Sequence, residues 1–301
     1  MIFPEPIPFE EALQHQQVKR VLATDAKAAD LKKYLAPEIR ERAFFSARVT
    51  DTRFLNEAHG MITQLASPET IVDPETGKRR PAGPGESVNP AKIRGELKHY
   101  LRSIGYTPEP GKEGSLEDLS SDRRLNLIVS TQETMAAGYG NHVQGQTEGV
   151  LAMWPAEELY RSESRRERRL WGQRWNDARR ALGSRTAAKP VDAPTGHADS
   201  GMYAPKNDPI WSQVSEFGLP YPPFDYNSGM RKRDVERDVA VELGIIQEHE
   251  TPAPDKRPFN EDVKASYPDD MPRDLLTALI RSLGDVADVD EAAKTITLKA
   301  V

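Results

Sequence analysis

The residues with the greatest capacity for binding chemistry lie between residues 159 and 182, which read LYRSESRRERRLWGQRWNDARRAL. Residues 161–180 carry eight arginines and three acids, a local charge of +5 in a chain whose net charge is −6. The basic character of the protein is therefore concentrated in one segment. The candidate residues for binding nucleic acid or a protein partner are Arg165, Arg166, Arg168, Arg169, Trp171, Arg174, Trp175, Arg179 and Arg180.

Two interpretations of this segment stay open. Trp171, Trp175 and Leu182 recur at helical spacing, so they form one stripe of a helix. In the first interpretation the helix is cationic, touches phosphates, and offers its tryptophans for stacking. In the second, the tryptophans face the core, and the arginines bind a protein partner or pair internally. The acids available for that pairing are Glu157, Glu158, Glu163, Glu167 and Asp177.

Sequence motifs for catalysis or for a bound cofactor are missing. The chain has no complete Walker A loop, dinucleotide-binding glycine motif, HExxH or GxSxG. It has no cysteine, which excludes disulfides, Cys-ligated metals and a cysteine nucleophile. A calcium-loop template matches from Asp225 onward, but Met230 stands where the loop requires glycine. We predict no catalytic residue, no metal and no cofactor; a hydrolase whose distant carboxylates meet only in the fold stays as an alternative.

Hydrophobic spacing predicts the elements that must position these residues. We expect helices from about residue 9, over 30–36, over a long and bent 37–66, and over 90–104, 122–143 and 273–283. A short helical turn is expected at 115–119 and an edge strand at 295–301. The predicted fold class is α+β, mainly α-helical with little strand, with long irregular loops and extended terminal arms.

Proline spacing predicts an extended arm at the N-terminus. Residues 1–9 read MIFPEPIPF, with proline at positions 4, 6 and 8, and proline excludes helix there. The arm packs on its own domain or docks on a neighbour through Ile2, Phe3, Ile7 and Phe9. Composition divides the chain into an arm with short helices (1–36), a helical core (37–180), a linker with the end of the core (181–250), and a Pro-rich linker with a C-terminal helix and strand (251–301).

Two stretches of the chain, taken in order, resemble the phage Mu F-like minor head, or phage head morphogenesis, family. The first comprises residues 123–132 (RRLNLIVSTQ) and 136–140 (AAGYG). The second comprises 204–211 (APKNDPIW) and 218–230 (GLPYPPFDYNSGM), and is most similar to a prophage-associated branch. The matching turn residues are Trp211, Pro222, Pro223, Phe224, Asp225, Asn227 and Gly229. Many relatives carry a Cys-containing turn where this chain has Asn227-Ser228-Gly229.

The resemblance implies a minor virion component that joins the portal or inner capsid during head assembly. It implies no catalytic residues. The expected partners are other virion proteins (portal, capsid and head–tail connector), with packaged DNA as a further possibility, and several copies of the chain in the particle. The alternative is a DNA-binding protein of packaging or ejection that uses residues 161–180.

Location follows from the same observations. Apolar runs are only a few residues long, far short of the ~20 needed to span a bilayer, and the first ten residues lack signal-peptide character. We therefore expect no membrane partner, assembly in the host cytoplasm, and residence in the virion.

Overall fold

The computed structural model describes residues 10–66, 70–72, 79–81, 89–255, 261–284 and 287–300. Helix accounts for 44% of the residues and strand for 13%, so the predicted α+β, mainly helical class is confirmed. The chain forms two compact units. The first unit combines Met1–Ala137 with Phe259–Val301, and the second unit is Gly138–Pro258. The first unit therefore contains both ends of the chain. The consecutive segments expected from composition do not group the two ends in this way.

Short strands are interspersed among the helices along the chain. The helices are α1 (Glu10–Gln17), α2 (Ala28–Tyr34), α3 (Pro37–Arg42), α4 (Thr52–Ala66), α5 (Pro90–Ser103), α6 (Asp122–Gly145), α7 (Glu148–Met153), α8 (Trp171–Leu182), α9 (Ile210–Val214), α10 (Arg237–Glu242) and α11 (Arg273–Leu283). The strands are β1 (Arg20–Val21), β2 (Ala43–Phe44), β3 (Thr70–Val72), β4 (Arg79–Pro81), β5 (Ala156–Arg161), β6 (Met202–Pro205), β7 (Met230–Val235), β8 (Val263–Ser266), β9 (Ala287–Asp290) and β10 (Thr295–Leu298). None of the helices within the described ranges is long and apolar enough to cross a bilayer.

The first unit contains three small sheets. Strands β1 and β2 pair in parallel, and β3 and β4 form an antiparallel pair. Strand β10 pairs with β8 on one side and β9 on the other, so it is the central strand of its sheet. The prediction of an edge strand here was wrong. Ile296 and Leu298 are buried on one face, an alternation that predicts a strand but not how many neighbours it has.

Two apolar clusters form the core of the first unit. One gathers Phe54 and Ile62 from α4, Leu97 from α5 and Leu125 from α6. The other brings early and late elements together, with Leu31, Ile39, Leu279 and Ile296 among its buried members. Burying such side chains stabilises by roughly 1.5–3 kcal/mol each, which explains why the C-terminal elements fold with the N-terminal ones.

The long helix predicted over 37–66 was wrong. Helix α3 ends at Arg42, and β2 follows it directly. A new helix starts only after Asp51, whose side chain accepts hydrogen bonds from the N–H groups of Arg53 and Phe54 at 2.9 and 3.0 Å. An aspartate that satisfies the first free N–H groups starts a helix rather than continuing one. Residues 43–51 therefore separate α3 from α4.

Other local predictions met a mixed outcome. The helices predicted over 90–104 and 122–143 are confirmed as α5 and α6. The side chains of Asn89 and Ser121 cap them, because they accept from Lys92 N at 2.9 Å and Arg124 N at 3.1 Å. The helix predicted from about residue 9 is α1, which begins at Glu10 and ends at Gln17. Residues 115–119 are not helical. Their backbone is instead held by Asp118, which accepts from the N–H groups of Gly114 and Ser120.

The second unit is built on the antiparallel sheet β6–β5–β7. Helices α8 and α9 pack beside it through Trp175 and Trp211, whose ring centroids are 5.4 Å apart. Both tryptophans are fully buried and share a core with Leu159, Met202 and Phe224. Sheet and helices therefore meet at an aromatic cluster, which fixes where α8 and the loop before it lie.

Residues 186–201 belong to this same unit. Asn176 on α8 donates to the carbonyl of Val191 at 2.9 Å and accepts from its N–H at 3.1 Å. The N–H of Gln173 donates to Gly196 O at 3.0 Å. This Pro- and Gly-containing stretch therefore packs along α8 within the second unit.

Candidate functional site

The arginine-rich segment is not one helix. Residues 162–170, which we call the arginine loop, connect β5 to α8. Residues 225–229, which we call the motif turn, lie between α9 and β7 and contain the family-like residues Asp225, Asn227 and Gly229. The fold brings these two segments together, although about sixty residues separate them in sequence.

Hydrogen bonds fasten the arginine loop to the backbone of the motif turn. The N–H of Ser162 donates to Gly229 O at 2.9 Å. Arg165 Nε donates to Asn227 O at 3.0 Å, and Arg169 Nη2 donates to Tyr226 O at 2.7 Å. Guanidinium donors that reach carbonyl groups satisfy a turn whose backbone has no ladder partner, so these two arginines have a structural role.

Gly229 permits this contact. Its φ is +68°, and a Cβ added there would overlap the carbonyl oxygen of Glu163. Asn227 also has a positive φ, +48°. Glycine adopts this left-handed region without a steric penalty, and asparagine tolerates it. The Asn-Ser-Gly sequence at this position is therefore explained by the backbone geometry of the turn.

Acidic side chains pair with most of the loop arginines. Asp199 accepts from Arg161 at 2.5 Å and from Arg168 at 2.6 Å. Asp225 lies 3.1 Å from Arg174 and 3.5 Å from Arg169. These two aspartates each bridge two arginines. Neither was among the acids expected to do so from the sequence, because both are distant along the chain.

The expected acids have other outcomes. Glu163 pairs with Arg165 at 2.6 Å, and Asp177 pairs with Arg180 on the exposed side of α8. Glu158 pairs with Arg233, and Glu157 with Lys232. Glu167 forms no ion pair with any residue that the structure describes. Acids thus pair with basic residues inside the protein, but Glu157 and Glu158 pair with Lys232 and Arg233 of strand β7 rather than with the arginine-rich segment.

The electrostatics keep these carboxylates ionised. The hydrogen bond from Arg165 lowers the pKa of Glu163, with Arg231 contributing in the same direction. Burial alone would raise the pKa of Asp199, but its hydrogen bonds with Arg161 and Arg168 outweigh burial and hold the pKa below its ordinary value. Charged partners favour the ionised form of a carboxyl group, so the pairs persist at neutral pH.

Some arginines of the segment lie outside these pairs. Within the described ranges, Arg166 and Arg179 form no ion pair. Arg166 is exposed, and so are Arg168 and Arg169, whose side chains are 46% and 44% accessible. Exposed guanidinium groups on a fixed loop can bind a carboxylate or a phosphate.

The tryptophans do not serve as an outer stacking platform. Trp171 and Trp175 are 1% and 0% exposed. Trp175 Nε1 donates to Lys189 O at 2.7 Å, and the guanidinium of Arg174 lies 4.9 Å from the Trp171 ring centroid. A base cannot stack on a ring that the core already covers, so the Trp part of the phosphate-binding interpretation was wrong.

A groove runs beside the arginine loop on the outer face of α8. Its volume is about 660 Å³. Leu170, which is 44% exposed, lies in it together with polar groups. The side chains that line it include Arg169, Leu170, Gln173, Arg174, Asp177 and Gln213. Arginine beside an apolar residue is a typical composition for a protein-binding surface.

The two family-like stretches touch within the second unit. A Cβ added at Gly138 on α6 would overlap the carbonyl oxygen of Pro222. Next to this contact, the rings of Tyr139 and Tyr221 meet edge to face, with centroids 5.7 Å apart. The small residues of the first stretch therefore permit close approach of the proline turn. Pro223 and Phe224 are buried directly after it.

Two buried lysines of the second unit pair with carboxylates, and the sequence analysis did not predict these pairs. Lys206 is 1% exposed, and its Nζ is 2.8 Å from Asp234. Lys232 pairs with Glu157 at 2.5 Å and lies 5.0 Å from the Trp211 ring centroid. Lys206 directly follows the strand β6 (MYAP) and Lys232 lies between two arginines in β7 (MRKRDV), and neither context identifies the carboxylate partner.

Two further predictions concern the N-terminal arm and metal ions. The arm residues Ile2, Phe3, Ile7 and Phe9 precede the first described residue. Among the described residues, no group of three or more His, Asp or Glu side chains is placed to hold a metal ion. Comparison with known proteins found no matching family model, curated sequence or solved structure.

Proposed function

We propose that this chain is a structural component of a phage or prophage virion, of the minor head class, and that it binds other virion proteins during head assembly. The observation that carries the proposal is the contact between Gly138 and Pro222. This contact joins Gly138 of the first stretch that resembles the Mu F-like family to Pro222 of the second. The glycine is needed because it lets the proline turn approach the helix closely.

The surface that we assign to partner binding is the arginine loop with the adjacent groove. Hydrogen bonds from the side chains of Arg165 and Arg169 to backbone carbonyls fasten the loop to the motif turn, so little conformational entropy is lost when a partner binds. Arg166, Arg168 and Leu170 are exposed on this fixed surface. A partner with carboxylates around an apolar anchor complements it, and an acidic face of a portal or capsid protein has that chemistry.

Co-sedimentation tests the proposal. The chain would be coexpressed with a portal protein and a major capsid protein of the same genome, and the lysate separated on a sucrose gradient. We expect the chain to migrate with portal rings or heads, and the double variant Arg166→Glu, Arg168→Glu to bind them less. Lys92→Glu, an equal charge change per residue at another exposed position, serves as the control. Migration of the wild-type chain alone at high concentration would overturn the proposal.

A second candidate function is DNA binding during packaging or ejection, favoured by the exposed Arg166 and Arg168. Arg165 and Arg169 are unsuitable for testing it, because each also holds the motif turn. The informative variant is Arg166→Gln with Arg168→Gln. A DNA-binding role requires weaker binding and a salt dependence lower by about two phosphate contacts. The minor head proposal predicts equal DNA affinity for variant and wild type.

A further inference from the structure

Strand β7 is an open edge of the sheet in the second unit. It pairs with β5 along six residues, from Ala156↔Val235 to Arg161↔Met230. The opposite edge strand, β6, has four residues, and its Tyr203 carbonyl already accepts the N–H of Lys189 at 2.9 Å. Among the described residues no second strand pairs with β7. An edge strand presents unpaired N–H and C=O groups to any chain that fits.

The exposed side chains of β7 restrict what can fit. Arg231 and Arg233 are 49% and 57% exposed and point to the same face, because they are two residues apart. Lys232, between them, is turned inward to Glu157. Two arginines on one face oppose pairing with a second copy of β7 and favour a strand that carries a carboxylate.

The N-terminal arm has the complementary pattern. In an extended chain, N–H groups alternate between the two edges, so Pro4, Pro6 and Pro8 remove every donor from one edge of residues 3–9. The N–H groups of Phe3, Glu5 and Ile7 lie on the other edge. Such a segment can pair with a sheet on one side only and cannot accept a further strand. In the same extended chain the side chains alternate between the two faces, and Glu5 supplies a carboxylate on one of them.

We propose that residues 1–9 of one copy of the chain add as a fourth strand to β7 of a second copy. Nine extended residues span about 30 Å and the six residues of β7 about 20 Å, so the arm covers the whole edge. Each copy has one arm and one edge, so the contact is heterologous and leads to rings or longer assemblies. The proposal goes beyond the virion role and requires no other virion protein.

Proline substitutions in the arm test the backbone pairing. Glu5→Pro with Ile7→Pro removes two N–H groups from the pairing edge, and we expect self-association of the full chain to weaken about tenfold or more. Pro6→Ala is the matched control, because its restored N–H lies on the opposite edge, and self-association should persist. Sedimentation velocity over a concentration series measures both. A monomeric wild type at all concentrations, or equal association of the double-proline variant, overturns the proposal.

Cross-linking identifies the partner of the arm, and the absence of native cysteine makes it simple. Full chains with Ile7→Cys would be mixed with differently sized, tagged chains carrying Arg233→Cys, and treated with a short bismaleimide. We expect a mixed dimer on a denaturing gel. Lys92→Cys in place of Arg233→Cys should give none. A chain carrying both cysteines that links only within itself, with no mixed dimer, overturns exchange between copies.

Discussion

Gly138 of α6 and Pro222 of the proline turn are in backbone contact, with no room for a side chain between them. The two residues are more than eighty positions apart and come from different family-like stretches. Because the Cβ of any other residue would overlap the Pro222 carbonyl, this contact decides how closely the turn approaches the helix.

Replacing Gly138 by alanine should therefore destabilise the second unit. The helix itself would gain from alanine, but the overlap with Pro222 forces the turn away and costs about 2–3 kcal/mol. Urea denaturation followed by tryptophan fluorescence measures the change. Gly149→Ala in α7 is the control, since no atom lies within 4 Å of an added Cβ, and it should be neutral or slightly stabilising. Equal effects of the two substitutions would contradict the role of the contact.

Replacing Gly229 by alanine should release the arginine loop from the motif turn. The added methyl group meets Glu163 O and is also strained by the positive φ of +68°. Gly201→Ala separates these effects, because Gly201 has a φ of +83° but its Cβ would lie 3.6 Å from Val191. We expect Gly201→Ala to cost about 1 kcal/mol and Gly229→Ala at least about 1 kcal/mol more. Hydrogen exchange of residues 162–170 should increase only for Gly229→Ala.

The bridge from Asp225 to two arginines should contribute more than the exposed pair on α8. The side chain of Asp225 is 13% exposed, so Asp225→Asn removes the carboxylate partner of Arg169 and leaves Arg174 with Glu216, at 3.5 Å, in a partly dry site. We expect a loss of about 1–2 kcal/mol. Asp177→Asn removes the exposed partner of Arg180 and should change stability by less than about 0.5 kcal/mol. Chemical denaturation of both variants checks the order, which a reversed ranking would refute.

The stability of the first unit should rise with pH. Burial lowers the pKa of Lys19 to about 7, partly opposed by the charge of Glu41. The unfolded chain, with a lysine pKa near 10.4, thus binds more protons than the folded chain between about pH 7 and 10. Unfolding free energy therefore increases with pH across that window, by as much as ~1.4 kcal/mol per pH unit. Below pH 7 both states are protonated at this lysine, and its contribution to the slope vanishes.

Histidines extend the effect to lower pH. Burial lowers the pKa of His15 and of His59, so acidification below about 6.5 protonates the unfolded chain first and reduces stability. Lys19→Met should flatten the profile above pH 7 and stabilise the protein at neutral pH, because burial disfavours the charge of Nζ, which donates to the neutral Gln132 and Met135. Lys33→Met, at an exposed position, should leave the slope unchanged. Denaturation from pH 5 to 10 measures both variants.

Rules based on neighbouring residues correctly predicted the helices whose boundaries depend on side chains close in sequence. The caps at Asn89 and Ser121, the helix that starts at Asp122 and the helix Arg273–Leu283 follow from side chains within a few residues of each boundary. The same rules failed at residues 37–66, because continuous hydrophobic spacing there hides two helices. Asp51 caps the start of the second helix, α4. Between the two helices, β2 pairs with β1, which is distant in the sequence.

By itself, the sequence determined the helical class, the concentration of positive charge in residues 161–180, and the tryptophan stripe that becomes buried. These depend on composition and on spacing within one element. Only the tertiary structure decided that Asp199 and Asp225 each pair with two of the arginines, that the loop rests on the motif turn, and that β7 is an edge strand within the described part of the chain. Such pairings depend on which distant segments the chain brings together, and the periodicity of a single segment carries no information about its partner.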